Sequence, residues 1–173
     1  MKVILKKVER KEQEQVIIEC TEVTKEIKDI YSYALSKGVE LSGTENGHLE
    51  KIRLEDIYYF EALDEKVFAY TKNQVVEIKL RLYEVEQEYV PYYFIRCSKS
   101  VVLNLMQLKS ISPALNGRFL AHLKNGEKVM ISRQYIGSIR ESVFGGKSEK
   151  NPSSFSPDLS LYVSMQKGAQ NEK

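Results

Sequence analysis

His48, His122, Cys20 and Cys97 are the side chains best suited to nucleophilic, acid–base or metal chemistry in this 173-residue chain. Their spacing supports none of it. The two cysteines lie far apart, outside any metal-ligand pattern, and read as free thiols of a reducing compartment. Cys97 follows Arg96, whose charge would favour a thiolate. The simpler reading is a strand cysteine packed inside the protein. His122 falls in an expected strand as a half-buried structural residue, and His48 falls in a polar turn. Asp64-Glu65 reads as a solvated turn. The chain has no HExxH, GxSxG, P-loop or CxxC sequence. The expectation is a protein with no catalytic residues, no metal site and no cofactor, and so not an enzyme.

Basic side chains offer a different chemistry. The formal net charge is +2, yet residues 93–146 hold 8 basic and only 2 acidic groups. A positive field so weakly cancelled suits a polyanion such as DNA. Several polar and basic residues stand at expected loops, most of them in that block. They are Lys66 after the acidic turn, Ser98, Lys99 and Ser100 between two apolar strand pieces, and Arg133 in the first turn of the last helix. Loop amides and helix N-termini seat phosphates. Lysine and arginine also reach guanine edges in the major groove. Taken singly, Lys99 is equally an exposed loop lysine and Arg133 a surface residue near a cap.

The elements that must position these residues follow from hydrophobic periodicity. Val3 to Val8 and Gln15 to Cys20 are apolar and β-branched, a strand pattern. A helix follows Thr21, with Val23, Ile27, Ile30 and Ala34 on one face and Gly38 as its stop. A strand spans Val39 to Ser42, so residues 1–45 read as a β-α-β accessory or dimerisation unit. From there strands are expected over 49–54, 57–61, 66–71 and 74–79, and a short helix over 80–89. After the apolar piece Phe94 to Asn104, Asn116-Gly117 and Asn125-Gly126 punctuate strands over 109–112, 118–123 and 128–132. Ser132 caps a final helix carrying Ile136, Ile139 and Val143, and Gly145-Gly146 ends it. Residues 46–146 thus form a mainly β domain with a few short helices. Residues 147–173 are rich in Ser, Pro, Gln, Asn and Lys and read as a disordered tail holding one apolar knot, Leu159 to Met165. No stretch approaches the roughly 18 consecutive apolar residues of a membrane-spanning helix. The N-terminal apolar run is too short for a signal peptide, so a cytoplasmic location is expected.

From about residue 48 to 144 the chain resembles the LytTR DNA-binding domain. The matching pieces come in the family's order: LEDIYYFEA (Leu54 to Ala62) with a basic position in the next loop, the short helix with Leu80 and Leu82, FIRCSKSVVLN (Phe94 to Asn104), the strands turned by Asn-Gly, and ISRQY (Ile131 to Tyr135). The resemblance implies an elongated, mostly β fold that inserts loops into successive DNA grooves. It implies DNA contacts at Lys66, at Lys99 with Ser98 and Ser100 beside it, and at Arg133. Relatives often carry His or Asn where Lys66 and Lys99 stand, and Asn104 matches a motif asparagine that holds its loop. The resemblance further implies a stand-alone bacterial regulator of transcription without a receiver domain, acting on double-stranded DNA at paired direct repeats. A homodimer or paired copies, and restraint by a membrane-bound protein partner, belong to the same expectation. No small-molecule substrate is expected. The competing reading is a protein- or RNA-interaction module using the same basic face, although the chain lacks the paired strand aromatics of an RRM and the GXXG of a KH domain.

Overall fold

The structure, a computed structural model, describes residues 4–144. The expected tail, its apolar knot and the start of the first expected strand lie outside the described residues.

Ten strands and three α-helices make up the described chain. The strands are β1 (Glu40–Glu45), β2 (His48–Arg53), β3 (Tyr59–Leu63), β4 (Lys66–Tyr70), β5 (Val75–Ile78), β6 (Phe94–Arg96), β7 (Val101–Asn104), β8 (Leu108–Pro113), β9 (Phe119–Leu123) and β10 (Lys128–Ile131). The helices are α1 (Lys25–Ser36), α2 (Leu82–Tyr89) and α3 (Ile136–Phe144). One seven-stranded sheet runs in the order β2-β1-β5-β4-β3-β7-β6, and a three-stranded sheet in the order β10-β9-β8. Every pairing is antiparallel. The mainly β architecture expected from the sequence is the one observed.

The larger sheet is covered on both faces, and its alternation shows how. Phe60 of β3 and Val102 of β7 point to the side of α2, where they join Leu82, Val85 and Tyr89. Phe60 is fully buried, stacks with Tyr89 at 5.8 Å between ring centroids and meets Phe94 at 5.2 Å. A side chain of this size contributes about 1.5–3 kcal/mol by burial alone. Tyr58, Val101 and Leu103 point the other way, into a second cluster with Ala121, Leu123, Val129, Ile131 and Ile139 from the small sheet and α3. Strand β7 is therefore buried along its whole length, as a strand between two layers must be.

The N-terminal region departs from expectation. Neither residues 4–8 nor residues 15–20 form a strand. Ile4, Leu5, Val16 and Ile17 are 67–99% exposed. Their β-branched pattern supplies propensity, but no neighbouring strand is at hand to pair with or pack on, and β-propensity acts only through such neighbours. The expected β-α-β unit thus reduces to an irregular segment, a helix and a strand. Helix α1 begins three residues later than expected, at Lys25 behind Thr24, so Val23 falls outside it and is exposed. It is tethered to the body where the Tyr93 hydroxyl donates to Asp29 at 2.7 Å and where Lys37 pairs with Glu55. The strand expected at 39–42 is integral to the large sheet, as β1, paired along its length with β2 and at Gly43 and Thr44 with β5. The β1–β2 turn is a third Asn-Gly pair, Asn46-Gly47, with φ of 50° and 81°. Both values suit the tight hairpin turn that Asn-Gly favours.

Candidate nucleic-acid interface

The positions singled out in the sequence come from three separate segments, and backbone hydrogen bonds stitch those segments together. Strands β3 and β7 run antiparallel, with Glu61 opposite Val101. Beyond that pair the Ala62 N–H donates to the Ser100 carbonyl at 2.8 Å, so the end of β3 lies against the β6–β7 turn. The Cys97 carbonyl of the same turn accepts the Ser132 N–H at 2.9 Å, which brings in the segment before α3. The β3–β4 turn, the β6–β7 turn and residues 132–135 thus share one end of the large sheet.

Lys66 opens β4 opposite Leu63, across a two-residue turn in which both Asp64 (φ 48°) and Glu65 (φ 65°) are left-handed. Its ammonium group lies 2.8 Å from a Glu77 carboxylate oxygen on β5. The pair is solvent-exposed, so its worth is under about 1 kcal/mol and a phosphate can displace it. Lys99 is exposed at the tip of the β6–β7 turn. Ser98 and Ser100 flank it, half-buried, with the Ser98 hydroxyl oxygen accepting the Ser100 N–H at 3.2 Å. That bond makes Ser98 part of the turn's own construction.

Arg133 is exposed, but its setting differs from the expected one. Helix α3 starts only at Ile136, and Arg133 sits in a tight turn in which the Tyr135 N–H donates to the Ser132 carbonyl at 3.0 Å. With the Ser132 N–H drawn to Cys97, the chain must turn once before it can wind into a helix. The aliphatic stem of Arg133 rests on the Asn116-Gly117 turn between β8 and β9. A Cβ on Gly117 would stand 2.9 Å from the Arg133 Cδ, and Gly117 also holds a φ of 67°. A fourth turn, unremarked in the sequence as part of this surface, therefore supports the arginine.

Sequence reasoning also missed Arg96. Its guanidinium donates to the carbonyls of Ser98 and Lys99 and to the Glu86 carboxylate of α2. No local spacing connects residues 86, 96 and 99. Cys97 itself is fully buried, and burial pushes its thiol up to about 12, outweighing the favourable charge of Arg96. That removes the thiolate considered above. Among the described residues no cluster of His, Cys, Asp and Glu is placed to hold a metal ion. No helix among them is long and apolar enough to cross a membrane. A cavity of about 540 Å3 lined by Lys51, Arg53, Asp56 and Lys72 includes none of the expected site residues.

A family model described as the LytTr DNA-binding domain matches residues 47–143. An uncharacterised HTH-type transcriptional regulator of Staphylococcus aureus strain bovine RF122 / ET3-1 is 35% identical over 107 residues, 62% of this chain and 72% of the relative. The counterpart in strain COL shows the same identity and coverage. Among solved structures, a LytTr DNA-binding domain from Bacillus cereus is similar with a TM-score of 0.57 and 26% identity, covering 61% of this chain and 96% of that one. With more than half of its length matched, and with the β architecture of that solved domain, the chain belongs to the LytTr DNA-binding domain family.

Proposed function

We propose that this protein is a sequence-specific DNA-binding regulator of transcription that reads promoter direct repeats. It does so through the β3–β4 turn, the β6–β7 turn and the turn leading into α3. The carrying observation is the backbone stitching at one end of the large sheet: Ala62 to Ser100 and Cys97 to Ser132 hold three turns side by side, each presenting one exposed cation. Lys66 and Lys99 are flexible point charges suited to phosphates, and Arg133 has the planar fork that recognises a guanine edge. Ser98 and Ser100 shape the middle turn and can add neutral phosphate contacts.

The protein binds as a homodimer or as paired copies on successive repeats. The exposed Ile4, Leu5, Val16 and Ile17 supply apolar surface for a contact between copies. Restraint by a membrane-bound partner would complete the regulation, and co-sedimentation of the protein with membranes from its own cells, abolished by detergent, is its check. The main test is a mobility-shift titration against DNA from the protein's own promoter region with excess nonspecific competitor. A specific complex is expected for the wild type, weakened about 10- to 100-fold by Arg133→Ala, as for loss of one bidentate base contact. A wild type that prefers no sequence would refute the proposal.

A further inference from the structure

Arg96 closes β6 at the entry to the β6–β7 turn, yet it faces the turn's interior, with a side chain only 18% exposed. Its Nε donates to the Ser98 carbonyl at 2.8 Å, one terminal nitrogen to the Lys99 carbonyl at 2.5 Å, and the other to a Glu86 carboxylate oxygen at 3.1 Å. Two consecutive carbonyls of the turn are thus drawn inward onto one cation, and that cation is fixed to α2. Such a fork needs a planar group with several donors in set directions, which arginine has and lysine lacks. The inward pull has an electrostatic result as well. With both carbonyl oxygens held on the guanidinium, their negative ends are withdrawn from the side on which Lys99 is exposed.

We propose that Arg96 is a positioning residue for sequence reading: it sets the β6–β7 turn from below, with Glu86 as its anchor, and makes no contact with DNA itself. The inference rests on the DNA-reading function proposed above. It assigns specificity, rather than charge, to this arginine. A phosphate contact and a positioning residue leave different traces. Loss of a phosphate contact weakens binding to all sequences alike and lowers the salt slope by about 1. Loss of positioning reduces affinity for the chosen sequence alone.

The test uses the full chain and a duplex that the wild type selects from a random-sequence library, beside a scrambled duplex of equal composition. Arg96→Lys keeps the charge and removes the fork. Glu86→Gln keeps the volume and weakens the anchor from the α2 side. Arg96→Lys is expected to lose about tenfold in affinity for the selected duplex. Its affinity for the scrambled duplex and its salt slope should stay at wild-type values, and amide exchange at Ser98 and Ser100, whose N–H groups are bonded within the turn, should accelerate. Glu86→Gln should move the same readouts in the same direction by less. Wild-type discrimination in Arg96→Lys would overturn the inference, as would equal loss on both duplexes with a reduced salt slope. If the wild type selects no sequence, the DNA reading itself falls. Unchanged amide exchange in both variants would overturn the clamp independently of any DNA result.

Discussion

Replacing Asn104 with alanine should cost this protein more stability than its size suggests. Asn104 closes β7 and is 2% exposed. Its amide nitrogen donates to the Ile57 carbonyl at 2.8 Å, and its side-chain oxygen accepts the Met106 N–H at 2.9 Å. One side chain therefore ties the entry to β3 to the turn that leads into β8, joining the large sheet to the small one. Ile57 is itself fully buried, so its carbonyl has no water to fall back on. Alanine leaves an acceptor and a donor without partners, each worth about 1–3 kcal/mol when buried. Because Met106 sits closer to the surface, a loss of about 2–4 kcal/mol is the expected sum. At about 2–4 °C per kcal/mol for a chain of this size, the melting temperature should fall by roughly 10 °C. The chain lacks Trp, so far-UV circular dichroism in a urea titration is the assay. Asn104→Asp sharpens it. The carboxylate still accepts from Met106 but opposes the Ile57 carbonyl, and only the protonated form can donate there. The folded state then holds the proton more tightly than the unfolded one, whose carboxyl titrates near about 3.9. The stability of Asn104→Asp should accordingly rise as pH falls from 7 towards 5, while that of Asn104→Ala relative to wild type stays level. An alanine variant within 1 kcal/mol of wild type, or an aspartate variant without the pH trend, would refute the reasoning.

Three further outcomes follow from close packing. Gly43 lies where β1 meets β5, and a Cβ there would stand 2.5 Å from the Glu77 carbonyl oxygen and 2.4 Å from a Val76 methyl. Since that ladder rests on Gly43 and Thr44 alone, Gly43→Ala should lower stability by about 1–3 kcal/mol; an unchanged urea midpoint would contradict the observed approach. Cys20 is exposed and Cys97 buried, so a thiol reagent at pH 8 should modify one cysteine at once and the second only on unfolding, and two fast thiols would show the core to be open there. Burial raises the Cys97 thiol from an ordinary 9.0 to about 12. Its unfolded form ionises first, so the stability advantage of wild type over Cys97→Ala should narrow as pH climbs from 9 towards 12.

What could be read from the sequence was what short-range physics controls. Asn116-Gly117 and Asn125-Gly126 announced the small sheet because a hairpin turn demands left-handed backbone there. Asn46-Gly47 carries the same signal, but a unit bounded at residue 45 ends beside it and separates β1 from the main sheet to which it belongs. Asp64-Glu65 gives little notice of two consecutive left-handed residues, because aspartate is tolerated in that region but glutamate is not among the types that favour it. The segment Val16-Ile17-Ile18 shows the opposite failure. Its strand propensity is as strong as that of β7, and only β7 has neighbours on both sides. Lys66, Lys99 and Arg133 were each legible as loop cations. Their meeting at one end of a sheet was not, because it depends on the bonds from Ala62 to Ser100 and from Ser132 to Cys97 across long stretches of chain.

Those bonds also bear on the proposed reading of DNA by this surface. The Staphylococcus aureus relatives carry the name HTH-type, a class in which a recognition helix enters the groove. Among the described residues here no two α-helices follow one another, and Arg133 stands on a turn before α3. Turns ordinarily lose much conformational freedom on binding, and that loss subtracts from affinity. In this fold the loss is largely taken during folding instead. The β3–β4 turn is held by five cross-strand pairs, the β6–β7 turn by the Arg96 fork, and the Arg133 turn by Cys97 on one side and Gly117 on the other. Freedom remains chiefly in the exposed side chains of Lys66, Lys99 and Arg133. On that account loosening any one turn should reduce discrimination between sequences before it reduces attraction to DNA as such, because charge survives disorder and register does not.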